Sequence, residues 1–299
     1  MKEIGLQELT AAVERMPAFP KSVQEILRLS REVNCTPKDL VQVIESDPLI
    51  TVKILKTVNS AYYGVAKPMT SVAHALLYLG ANTIKNLAIS IAALGMLPSK
   101  NVAGLEMPAY LLHCLSCAEI AKRLALKLDG TLEPMDAYLA GLLHDFGKIV
   151  LALFMPEAFQ AALDRCQQDG SSLHQALRAT LGTDHAQLGA MLVEHWRFST
   201  DISTAIRYQY GAELSEPELS QAEQNRSALN LKPLISCVFA ANQISKALQF
   251  GAAGNPCVEA FPPFVIACLG GDRDAVIASL GDLTPVLAEA QFLSNLGAA

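Results

Sequence analysis

The chain has 299 residues, 51% hydrophobic and 17% charged, with a formal net charge of −6. Ample apolar material excludes a disordered chain, and an acidic balance with scattered Lys and Arg and only 6% aromatics argues against direct nucleic-acid binding. The longest apolar run, Leu87 to Leu97, is broken by Ser90 and falls short of the ~20 residues that cross a bilayer; with no basic-then-apolar segment at the start, a soluble cytoplasmic protein without a membrane span is expected.

Helical periodicity dominates, and no stretch alternates apolar and polar residues as a half-buried strand would. The segment 20–32 places Val23, Ile26, Leu27 and Leu29 on one side, behind an entry marked by Pro17 and Pro20. Thr36-Pro37-Lys38-Asp39 supplies an N-cap, a proline at the first helical position and an acid at N3. That helix turns Leu40, Val43 and Ile44 inward and ends at Asp47-Pro48. The next carries Ile50, Ile54, Leu55 and Val58 and stops by Gly64; Ser71 caps another that Gly80 closes, and one more follows Thr83 through Ile91.

Pro98, Gly104 and Pro108 mark a linker. Beyond it the pattern predicts helices over 109–128, 135–146, to 155, 157–168, 172–181, 185–196, 201–210 and 233–250. The polar stretch 212–230 is expected as an excursion, and 256–299 as two more helices. The fold class is therefore all-α. The expected division is an N-terminal helical sub-domain over 1–100, a helical core over 101–250 and a C-terminal tail over 251–299.

Seven widely spaced cysteines without a secretion signal suggest reduced thiols. Cys114 and Cys117 form a C-x-x-C, but in mid-helix, where small core residues are expected rather than a redox pair or half a zinc ribbon. The most informative segment is AGLLHDFGKIVL. His144 and Asp145 end an apolar helix, Gly147 lets the chain turn, and Lys148 adds a charge. An imidazole and a carboxylate suit a borderline or hard divalent cation beyond the helix end. His113, one helix earlier in apolar surroundings, is either a ligand or a satisfied core group. His185 opens a later helix; His195 is expected to pack near Trp196, and His74 and His174 to lie on the surface.

Several separated blocks share one order: MPAFP at 16–20, SDPLITVKILKTVNSAYYG at 46–64, HALLYLGANTIKNLAIS at 74–90, GLLHDFGKIVL at 141–151, DHAQLGAMLVEHW at 184–196 and AIRY at 205–208. Together they resemble the HD-related output domain (HDOD) family over roughly residues 15 to 250. The resemblance implies an N-terminal helical sub-domain beside a degenerate HD phosphohydrolase core, and a bacterial signalling output rather than an enzyme. In that pattern His113 corresponds to the first metal histidine, His144 and Asp145 to the His-Asp pair, and Lys148 to a basic residue that meets a phosphate. His185 corresponds to the later single histidine of two-metal relatives. Their paired histidines fall on Gln209 and Tyr210, and the closing aspartate on Asn242.

A two-metal site needs several anionic ligands to activate water between its ions. With Asn242 neutral and two imidazoles replaced, the resemblance implies no catalytic residues and no required cofactor. A vestigial metal site remains at His113, His144 and Asp145, with Lys148, His185 and Asn242 lining the same pocket. Two readings of it stay open: a polar network fixing helices, or a weakly bound divalent ion, iron, manganese, magnesium or zinc. The leading function is a regulatory module contacting signalling proteins, with the block around Tyr62 and Tyr63 either a contact surface or internal packing. The alternatives are a metal-dependent phosphohydrolase or phosphodiesterase acting on a nucleotide, and a nucleotide-binding sensor.

Overall fold

The computed structural model describes residues 5–30, 32, 36–98, 103, 105–128, 130–210, 228–255 and 257–297. Its described secondary structure is helical throughout, as expected for an all-α chain. The chain divides into two compact units. One takes its residues from within Met1–Met16 and Pro98–Ser294, the other from within Pro17–Leu97 and Asn295–Ala299.

The smaller unit is built from α2 (Lys21–Ser30), α3 (Pro37–Glu45), α4 (Pro48–Val58), α5 (Val72–Leu79) and α6 (Ala81–Gly95). Thr36 starts α3 with the expected reciprocal cap: Asp39 N–H donates to Thr36 Oγ1 at 3.3 Å, and Thr36 N–H donates to Asp39 Oδ2 at 2.9 Å. Asp47, read from sequence as a helix end, also begins the next helix. Its Oδ1 accepts from the N–H groups of Leu49 and Ile50, each at 3.1 Å, and its Oδ2 from the Ser22 hydroxyl at 2.7 Å. Val23, Ile26, Leu40, Ile44, Ile54, Val58 and Ile84 form the core of this unit.

The larger unit holds α1 (Leu6–Glu14), then α7 (Met107–Leu126), α8 (Pro134–Leu143), α9 (Gly147–Phe154), α10 (Pro156–Asp169), α11 (Leu173–Leu181), α12 (His185–His195) and α13 (Thr200–Arg207). After residues outside the description come α14 (Ala228–Ala247), α15 (Pro263–Leu269), α16 (Arg273–Leu280) and α17 (Thr284–Gly297). The long central α7 packs along α8 and α14, while α12 packs on α9 and α13.

Four boundaries differ from expectation. α1 packs on α9 and α12 and so joins the larger unit rather than the N-terminal sub-domain. The stretch after residue 251 holds three helices instead of two, and α15 and α16 pack on α14, so that much of it belongs to the core rather than to a separate tail. The helix expected over 135–146 stops at Leu143, and that expected over 201–210 stops at Arg207. Both early stops place the chemical residues in turns. The polar stretch 212–230 lies outside the described residues up to 227, as do Cys35 and Gly104.

Among the described residues, Pro134–Phe154 is long and apolar enough to cross a membrane, yet 89% of its apolar window is buried inside the protein. A second pair of segments, Pro263–Leu280 and Thr284–Asn295, meets the same criterion only if joined across an 80° bend. Buried apolar helices of this kind form the interior of folded domains.

Two glycines set how closely helices approach. A Cβ on Gly141 would lie 2.8 Å from the Cys117 carbonyl oxygen, and one on Gly147 would lie 1.9 Å from the His185 carbonyl oxygen and 2.6 Å from the Gly189 nitrogen. All three obstructions are rigid backbone atoms, so relief requires helices to separate. Gly147→Ala is therefore expected to destabilise the protein by about 3 kcal/mol or more. Gly95→Ala, at the exposed end of α6 with open space around it, is expected to be neutral or slightly stabilising. Urea unfolding of the two variants beside the parent checks the contrast.

Candidate functional site

His113 and Cys117 lie one turn apart on α7 and therefore on one face. His144 and Asp145 occupy the turn between α8 and α9, and Lys148 is in the first turn of α9. His185 is the first residue of α12, whose start is capped by Asp184, the carboxylate accepting from Gln187 N–H at 2.9 Å. The backbone contact that Gly147 permits seats the start of α12 against the start of α9, and so brings His185 to Asp145. His113, His144, Asp145, Lys148 and His185 are each no more than 1% exposed.

Asp145 is the hub. Its Oδ2 accepts from Lys148 Nζ at 2.5 Å and lies 3.4 Å from His144 Nε2 and 3.6 Å from His113 Nε2. Its Oδ1 lies 3.4 Å from His185 Nε2, too far for a well-formed hydrogen bond. Lys148 also donates to the Ala253 carbonyl oxygen at 3.0 Å. A buried ammonium can persist only with such partners.

Hydrogen bonding on the far side of each ring assigns the tautomers. His144 Nδ1 is 2.7 Å from the Gly141 carbonyl oxygen, which can only accept, so the proton sits on Nδ1 and Nε2 carries a lone pair. The Ser245 hydroxyl donates to the Phe250 carbonyl oxygen at 3.1 Å, so it accepts from His113 Nδ1 at 3.0 Å and leaves His113 Nε2 bare as well. His144 Nε2 is buried without any hydrogen-bond partner. Two imidazole lone pairs and a carboxylate oxygen thus converge with no donor between the rings and the acid. The Cys117 thiol lies beside the His113 ring, its Sγ 3.6 Å from Nε2 and 3.9 Å from Nδ1, and donates to the Ala241 carbonyl oxygen at 3.6 Å.

A proton is a poor filler for this gap. Burial holds His113 well below its usual 6.5 and lowers His144 to about 4, despite the opposing pull of Asp145. Burial also works against ionising Asp145, but the groups around it, with the Lys148 ammonium in direct contact, outweigh it and keep the carboxyl well below 3.8. Neutral imidazoles facing a carboxylate make a donor set that fits a divalent cation. His113, Cys117 and His144 in particular offer ligand atoms within 4.8 Å of one another.

The other half of the site is filled by organic groups. Gln209 is buried, and its amide donates to the His144 carbonyl oxygen at 2.8 Å. The Tyr210 hydroxyl sits 2.8 Å from His185 Nε2, engaging the nitrogen that a second metal would need. Asn242 is buried, and its side-chain amide makes no hydrogen bond of normal geometry.

Among the remaining histidines, His74 and His195 are exposed. His174, expected on the surface, is buried: its ring stacks on Tyr210 with centroids 4.0 Å apart, and Ser172 lies 3.1 Å from its Nδ1. The side of α11 that faces the core is decided by its neighbours, and a single polar residue gives no local sign of it. Cys117, read as a plain core residue, is buried but has its sulfur in the cluster. Its four-residue spacing from His113 was the available signal, since i and i+4 share a helix face.

Residues 16–212 match the family described as the HDOD domain. The chain belongs to the HDOD family. A Treponema pallidum (strain Nichols) protein of uncharacterised function is 25% identical over 237 residues, covering 79% of this chain; the chain spans 43% of that relative's length. Solved HDOD-like structures share the fold. An HDOD domain protein of unknown function from Geobacter sulfurreducens superposes with a TM-score of 0.73 at 22% identity, covering 95% of this chain and 97% of its own. A candidate signal transduction protein from Marinobacter aquaeolei VT8 gives 0.73 at 24%, covering 98% and 65%. A candidate phosphohydrolase from Shewanella amazonensis SB2B gives 0.69 at 22%, covering 98% of both chains.

Two outcomes follow from this electrostatic arrangement. Lys148→Met leaves Asp145 buried with no ammonium, and is expected to cost about 3–5 kcal/mol. Asp145→Asn in the same background should recover part of that loss, which a double-mutant cycle measured by denaturant unfolding would show as coupling. The second concerns pH. His144 is lowered to about 4 and His174 to about 3, chiefly by burial, so the unfolded chain binds their protons more readily than the folded one. Stability is complete above pH ~6.5, the usual histidine value, and falls as pH drops from there toward about 4. Thermal midpoints across that range should decline, and less steeply in His174→Gln.

Proposed function

We propose that this HDOD chain is a non-catalytic, cytoplasmic signal-transduction module that acts through contacts with other signalling proteins. The observation that carries the proposal is the filled second half of the site. Tyr210 binds His185, Gln209 binds the His144 carbonyl, and Asn242 supplies no negative charge. Hydrolysis of a phosphate ester needs a water held and activated where the ester can reach it, and the whole His-Asp cluster is buried. The Marinobacter structure described as a candidate signal transduction protein supports the reading by kinship of fold.

In this role the cluster ties α7, α8, α9, α12 and α14 together. A divalent ion, if held, would rest on His113, His144 and Asp145, neutralise the converging lone pairs and lock those helices in register. Exposed apolar side chains of the smaller unit support the reading. Tyr62 is exposed and stands edge-to-face with Tyr63 at 5.0 Å, while Leu49 and Val52 on α4 and Leu77 and Tyr78 on α5 expose large apolar side chains.

A second reading rests on the retained His113, His144, Asp145 and Lys148, which resemble the half-site of a metal-dependent phosphohydrolase; the Shewanella structure is described as a candidate phosphohydrolase. The two readings separate in one experiment. Purified protein supplied with Mn²⁺ or Fe²⁺ is expected to leave nucleotides and cyclic dinucleotides unhydrolysed. Turnover that disappears in both His144→Ala and Asp145→Ala would establish the enzyme instead. Native mass measurement finding neither self-association nor a complex with any co-expressed signalling partner would count against the module.

A further inference from the structure

We propose that the smaller unit docks on anionic lipid through the outward faces of α4 and α5, holding the chain at a membrane surface without crossing it. The inference goes beyond the module reading and fails separately from it. Of the seven large apolar side chains that stand exposed among the described residues, five lie between residues 49 and 78. Leu49 and Val52 on α4 and Leu77 and Tyr78 on α5 are each between 60% and 83% exposed. Clustered apolar side chains of this kind mark a surface that contacts a protein or a membrane. Here these four serve lipid, and Tyr62 remains for protein partners.

Helix geometry gathers these residues into two stripes. At about 100° per residue, Leu49, Val52, Lys53 and Lys56 share one side of α4, while Ile50, Ile54, Thr57 and Val58 are buried on the other. On α5, Ala73, His74, Leu77 and Tyr78 face outward, opposite the buried Val72, Ala75 and Leu76. The two helices touch each other, and both pack on α3 and α6. Both stripes thus turn away from the same pair of helices.

The charge around them has one sign. Although the chain's net charge is −6, it has no Asp, Glu or Arg between Asp47 and Glu106, and the cations of that stretch within the smaller unit are Lys53, Lys56, Lys67 and Lys85. None of the four forms an ion pair with a described residue. Lys53, Lys56 and Lys67 are exposed, and a lysine stem can lie along apolar surface while its ammonium reaches outward. This chemistry favours lipid over protein. A protein partner is held in register by a fixed pattern of both signs, and protein interfaces are enriched in arginine and depleted in lysine, the reverse of this face. An anionic membrane needs no register: it attracts each lysine near it, while protruding Leu and Tyr side chains enter the headgroup–acyl boundary. An apolar centre of this size has no counterpart on a phosphate backbone.

The test is flotation of the full chain with lipid vesicles. The chain is expected to rise with vesicles of phosphatidylcholine and phosphatidylglycerol in equal parts, and to stay behind with phosphatidylcholine alone. Affinity for the anionic vesicles should fall about tenfold or more in the double variant Lys53→Glu/Lys56→Glu, and likewise in Leu77→Asp. It should also fall as salt is raised to about 0.5 M, where screening shortens the reach of each charge. Leu126→Asp, at an exposed site of the larger unit, should bind as the parent does. No flotation with the anionic vesicles, equal flotation with neutral ones, or parent-like binding by the lysine double variant overturns the proposal. Binding to soluble polyglutamate in place of vesicles overturns it in favour of an acidic protein. Self-association in place of vesicle binding, abolished by Leu77→Asp in sedimentation, overturns it in favour of a second copy. Circular dichroism checks that the variants fold; should Leu77→Asp not, the lysine double variant decides. A chain that floats yet hydrolyses nucleotides would defeat the non-catalytic reading and leave the lipid surface standing.

Discussion

A carboxylate sealed from water cannot stay ionised on its own, and Asp145 is held ionised by the groups around it. Lys148 reaches it from one turn later along the chain, and the Ala253 carbonyl takes a second ammonium hydrogen. Three histidines from α7, the α8–α9 turn and α12 then surround the same acid. Removing either member of the central ion pair would strand the other in a low-dielectric interior, a penalty larger than most single packing contacts contribute. The helices that meet at Asp145 are thus obliged to stay there.

That obligation is met by close packing. Gly147 lets α9 meet the start of α12 at a distance no other side chain would permit, and Gly141 does the same for α8 against α7. The Gly141 carbonyl, three residues before His144 in the last turn of α8, fixes the tautomer of His144. Disturbing the backbone here would alter the electrostatics of the cluster before it altered anything at the surface.

On the opposite side of Asp145, Tyr210 and Gln209 take hydrogen-bonding positions that phosphohydrolase chemistry would give to metal ligands. His174 stacks on Tyr210 and pins the ring. These contacts tie α11 and the turn after α13 to the residues around Asp145.

The helical class and most helix positions were legible in the sequence, because each rests on local signals. The cap at Thr36, the dual role of Asp47 and the apolar faces of α2 to α4 follow from neighbours within a few residues. The pairing of His113 with His144 needed only two adjacent antiparallel helices. By contrast, the burial of His174, the membership of α1 in the larger unit and the place of Cys117 in the cluster depended on which faces meet across long stretches of chain. Hydrophobic pattern says that a face is buried, but not against what. The sequence by itself determined which donors the chain carries and on which helix face each lies. Only the tertiary structure decided that two bare imidazole nitrogens and the Lys148 ammonium meet on one buried carboxylate, since that convergence depends on close approaches between helices that the pattern of a single helix cannot specify.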